Sequence, residues 1–61
     1  MPYEEDWWTE EAMIKVGGGF VHFLGRAARS ADPENLGKIK MTWPEYWQKY
    51  KEVGLGMWRK E

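Results

Sequence analysis

The sequence contains no cysteine, and this rules out a disulfide staple and a thiolate metal site. It contains one histidine, His22, so an imidazole metal cage or a His-dependent dyad would have to be built around a single ring. Ser30, Thr9 and Thr42 are the hydroxyl residues besides the tyrosines. No arrangement of nucleophile, base and orienting acid is visible around them, so a binding protein is expected rather than an enzyme. No cofactor is implied. The longest apolar stretches are broken by Lys15, His22 and Arg26, so no membrane span is expected. The first residues are acidic and no apolar run follows them, which is not the pattern of a secretory signal. A soluble chain acting inside the cell is the expectation.

The chain does contain rings. Five tryptophans, three tyrosines and two phenylalanines stand among 61 residues. A domain this short has a small core and commonly needs a disulfide, a metal or a second subunit to hold it. Large rings are the alternative, each able to bury about 150–250 Å². The expectation is an aromatic core, completed by aliphatic side chains or by a second chain.

Charge is unevenly placed. Residues 1–11 hold Glu4, Glu5, Asp6, Glu10 and Glu11 with no basic residue and carry −5, while the remainder carries +4. Such an acidic segment either folds onto the basic body or engages a partner. The spacing of its carboxylates is not that of a calcium loop.

The periodicity predicts an all-α protein of three or four short helices in a compact bundle. Residues 1–9 read as an acidic arm, 10–58 as one helical domain and 59–61 as a charged tail. Thr9 is placed to cap a helix starting at Glu10. "GGG", Gly17 to Gly19, should break that helix or admit a close neighbour. Phe20, Phe23, Leu24, Ala27 and Ala28 fall on one stripe of a second helix ending near Ser30, and its small residues would let another helix come close. In "ADPENL", Asp32 caps, Pro33 takes the first helical position and Glu34 complements the dipole. That helix should run to about Met41 with Leu36 and Ile39 inward and Lys38 and Lys40 outward. In "TWPE", Thr42 and Glu45 have capping-box spacing, with Pro44 in the first turn. Trp43, Tyr46, Trp47, Tyr50 and Val53 then share one face, and Gly54 and Gly56 read as stop signals.

Three surfaces are candidates for function. Trp7, Trp8 and Trp58 lie near the ends of the chain, outside the best stripes. Adjacent tryptophans cannot both face inward, so at least one of the three should be exposed or packed on another chain. These are the protein-binding candidates, for a protein partner or a homo-oligomer. Arg26, Arg29, Lys38 and Lys40 are the nucleic-acid alternative, a weak footprint on a chain of net charge −1. Surface membrane binding by "AMIKVGGGFVHFLGRAA" ranks third, because its apolar stripe is needed for the core. His22 reads as a helix-surface histidine, and "GGGF" lacks the spacing and the Lys-Ser/Thr pair of a phosphate loop.

The stretch "GGGFVHFLGRAARSADPENLGKIKMTWPEYWQKY", Gly17 to Tyr50, resembles very small open reading frames of tailed bacteriophages and prophages. Gly18, Gly19, Phe20, Val21, Ala31, Asp32, Pro33, Asn35, Pro44, Glu45, Tyr46 and Trp47 carry the resemblance, which spans just over half of the chain. It implies a phage or prophage origin and action in the cytoplasm of an infected bacterial cell. From that origin follows an accessory protein that binds itself or a host or phage target, with inhibition as one mode. That class brings no assigned activity, so no site residue transfers with it.

Overall fold

The computed structural model describes the backbone of residues 2–61 and the side chains of residues 4–61. Met1 and the ring of Tyr3 lie outside the described residues. Four helices follow one another, α1 (Pro2–Val16), α2 (Gly19–Ser30), α3 (Pro33–Thr42) and α4 (Pro44–Arg59). The all-α bundle expected from the sequence is the architecture found. The Cα radius of gyration is 10.4 Å, against about 10.5 Å for a compact 61-residue domain. The accessible surface is 4296 Å², close to the ~4,200 Å² of a folded monomer of this mass.

Helix α1 is the centre of the bundle and packs along both α2 and α4, while α3 closes one side. It begins at Pro2, so residues 2–9 are helix and Thr9 is no cap. Its hydroxyl donates to the Glu5 carbonyl at 2.8 Å, inside the helix, and the residue is 1% exposed. The helix ends at Val16, as the glycines require. A Cβ on Gly17 would stand 2.4 Å from the Met13 carbonyl oxygen and 2.6 Å from Val21 Cγ1. His22 secures the same end, donating from Nδ1 to the Ile14 carbonyl at 2.8 Å. That carbonyl is in the last turn of α1, where partners within the helix run out. His22 is therefore a half-buried cap for α1, not a surface group.

Helix α3 starts as expected. Asp32 accepts from the Asn35 amide at 2.8 Å and Pro33 occupies the first turn. Helix α4 starts differently. The capping box does not form, because Thr42 donates back to the Lys38 carbonyl at 2.7 Å and Trp43 takes the cap position. Trp43 joins the two helices: its amide donates to Ile39 at 3.0 Å and its carbonyl accepts from Trp47 at 3.1 Å. Gly54 and Gly56 do not stop α4, which runs on to Arg59.

Gly54 has another role. A Cβ there would lie 2.4 Å from the Trp8 carbonyl oxygen and 2.9 Å from the Thr9 nitrogen. The backbones of α1 and α4 meet at this point. Gly25 does the same for α2, where a Cβ would lie 2.7 Å from Met13 Cβ and 3.1 Å from the Glu10 carbonyl oxygen. Around these contacts sits the core: Ala12, Met13, Val21, Leu24, Ala28, Trp47 and Tyr50, with Leu36, Ile39, Trp43 and Met57 packed against it. The core is thus aromatic only in part. Phe20 and Phe23, expected inside, are 56% and 67% exposed. The inward stripe of α2 is Val21, Leu24, Gly25 and Ala28, one residue out of phase with the expected one.

Candidate functional site

The acidic segment folds onto the body, and each of the other helices supplies a cation to it. Arg29 of α2 meets Glu10 at 3.3 Å and Glu11 at 2.9 Å. Lys40 of α3 meets Asp6 at 3.0 Å, and Lys51 of α4 meets Glu5 at 3.4 Å. Arg29 also donates to the Trp7 carbonyl at 2.9 Å, and its guanidinium carbon stands 4.4 Å from the centre of the Trp7 ring. A planar fork can serve several acceptors at once in a way an ammonium cannot. Lys40, expected outward, is half-buried, with its nitrogen 5.2 Å from the Trp47 ring centre.

Asp6, Trp7, Glu10, Arg29 and Lys40 border a cleft of about 420 Å³ between α1, the end of α2 and α3. Asp6, Glu10, Arg29 and Lys40 balance in charge around it, and Gly37 leaves its α3 wall bare. Burial pushes the Glu10 carboxyl above its ordinary value, against the opposing hydrogen bond and charge of Arg29. Glu11 moves the other way: its hydrogen bond from Arg29 holds it below the ordinary carboxylate range, with help from Lys15. Among the described residues no three His, Asp or Glu side chains stand together as a metal-binding group. No described helix is long and apolar enough to cross a membrane.

The terminal tryptophans have separate fates. Trp7 is 44% exposed, but Arg29 covers one of its faces. Trp8 is half-buried and meets Trp7 edge to face at 4.9 Å between centroids. Trp58 is half-buried. Of the four basic candidates, Arg29 and Lys40 are held by the acids of α1. Lys38 pairs with Glu34 at 3.6 Å in an exposed i,i+4 bridge, and Arg26 is exposed.

Trp7 is thus exposed, as expected for at least one of the three, and a second aromatic surface lies on α2 and α4. "TWPEYWQKY" divides between inside and outside: Trp47 and Tyr50 enter the core, whereas Tyr46 is 37% exposed. Trp43 is half-buried beside it. Phe20 of α2 reaches both, with centroids 5.6 Å from Trp43 and 6.1 Å from Tyr46. Phe23 stands one turn further along α2, edge to face with His22 at 4.9 Å. These rings looked like core because they recur at helical spacing. The contrary signal was the parallel stripe carrying Gly25 and Ala28, whose small residues mark the closely packed side of α2. Comparison with protein-family models, curated proteins and solved structures finds no match to this chain.

Proposed function

We propose that this chain is a small phage-encoded accessory protein that works by binding another protein through Phe20, Phe23, Trp43 and Tyr46. The observation that carries this reading is the exposure of Phe20 and Phe23 on a helix whose neighbouring stripe, Val21, Leu24, Gly25 and Ala28, already fills the core. Exposed large rings that stand next to one another mark contact surfaces, and Trp and Tyr are enriched where binding energy concentrates. The partner is a host or phage target or a second copy of this chain. Origin and cellular place rest on the resemblance of Gly17–Tyr50 to small phage reading frames, which supports action in the infected host's cytoplasm. Trp7, with Trp8 and Trp58, is a secondary contact candidate.

Nucleic-acid binding is the weaker alternative. With Arg29 and Lys40 engaged by Glu10, Glu11 and Asp6, it would rest on Arg26 and Lys38. Phosphate binding needs several cations free to displace counterions.

The test is site-specific photocrosslinking in the bacterial cell. A benzophenone side chain replaces Phe23 in one variant and exposed Gln48 in another. A discrete crosslinked protein at position 23, absent at position 48, is the expected result. Equal smears or no product at both positions would remove this surface from consideration.

A further inference from the structure

We infer that the notch between Trp43 and Tyr46 receives an arginine side chain presented by the partner protein. This rests on the protein-binding reading above and specifies the chemistry of the contact. The notch encloses about 220 Å³ and is lined by Trp43, Glu45 and Tyr46. Phe20 packs against both of its rings from α2, inclined 66° to Trp43 and 52° to Tyr46. The backbone of Trp43 is fixed at both its amide and its carbonyl, so its ring is carried by a rigid helix junction.

Two features select a cation. Glu45, which lines the notch, is exposed and has no hydrogen-bond or ion-pair partner among the described residues, so its carboxylate is not already engaged. The chain also sets a cation over a ring in three other places: Arg29 over Trp7, Lys40 over Trp47 and Lys49 over Tyr50. Among the described residues, no basic group stands over the rings of Phe20, Trp43 and Tyr46. A cation over an aromatic face is attracted by the ring quadrupole, more strongly as water is excluded. Arginine fits better than lysine. Its guanidinium is planar, weakly hydrated, stacks on rings and can fork onto a carboxylate. Within this chain the arginine contact is the closest of the three, at 4.4 Å against 5.2 Å and 5.4 Å.

The experiment titrates the full chain, labelled with ¹⁵N, and follows its tryptophan indole N–H signals. The probes are N-acetyl-arginine amide, its neutral isostere N-acetyl-citrulline amide, N-acetyl-lysine amide and N-acetyl-leucine amide. The expected result is a saturable shift of the Trp43 signal with the arginine probe alone. Glu45→Gln should weaken it about two- to fivefold. Tyr46→Leu, which keeps an apolar side chain and removes the ring, should weaken it by a similar factor. Unchanged spectra elsewhere establish that both variants are folded. An equal response to citrulline, or no change in Glu45→Gln, overturns the inference of a cation. An equal response to lysine overturns the choice of arginine. A response to leucine alone overturns both and leaves the protein-binding surface standing. No response to any probe overturns the notch as a site, and protein binding then depends on the crosslinking result at Phe23.

Discussion

The seam between α1 and its neighbours and the outer aromatic face are built from opposite materials. The seam holds Thr9, Glu10, Ala12, Gly25 and Gly54, which are small or polar, and all are buried. The outer face holds Phe20, Phe23 and Tyr46, which are large and apolar, and all are exposed. Hydrophobicity alone would exchange the two. The seam works because glycine lets backbones touch and because Arg29 satisfies the carboxylate it buries. The rings are thereby released from the core and left free for contact.

The largest effect should follow from breaking the seam at its charge. Arg29→Ala leaves Glu10 buried without its partner and frees the Trp7 carbonyl, and should cost about 2–4 kcal/mol in urea unfolding. Arg29→Lys should recover only part of this, since an ammonium cannot reproduce the fork.

Breaking the seam at its closest contact comes next. Gly54→Ala pushes a methyl group into the Trp8 backbone and should cost about 1–3 kcal/mol. Gly37→Ala sharpens the comparison from the other side. A Cβ there meets nothing within 4 Å, so the helix should gain up to about 1 kcal/mol from the better helix former. Chemical denaturation of both variants beside the parent checks the opposite signs.

Titration separates the two carboxylates that share Arg29. Glu10 binds its proton more tightly folded than unfolded, so its contribution to stability falls as pH rises from 4.5 through its raised value. Glu11 binds its proton less tightly when folded. Its contribution is present above 4.5 and is lost as pH falls through its lowered value. Stability measured across pH 3–7 should therefore lose the fall above 4.5 in Glu10→Gln and keep the acid-side loss. A variant that is much less stable than the parent at pH 7 would show that the ionised pair, not burial, dominates at Glu10.

The helices were legible where their signals are local. Asp32 and Pro33 set the start of α3, Pro44 sets the start of α4, and the glycines end α1. The start of α1 was hidden because its inward side carries carboxylates, which become buriable only when cations from other helices arrive. Nothing within residues 2–16 announces Arg29 or Lys40. Gly54 is ambiguous for the same reason: a helix stop and a helix crossing both call for glycine, and the difference lies in Trp8, far away in sequence. The exposure of Phe20 and Phe23 was not legible because two apolar stripes run along α2, one step apart. Period alone does not say which of them faces α1.

The smallest effect on stability is the most telling. The thermal unfolding of the Phe20→Ser/Phe23→Ser variant tests directly whether the aromatic face is surface rather than core. Surface rings contribute little to folding, so the midpoint should stay within about 5 °C of the parent, a shift worth roughly 1 kcal/mol in a domain of this size. Core phenylalanines cost about 3–5 kcal/mol each when truncated. Loss of the cooperative transition would therefore place both rings in the core and contradict the account.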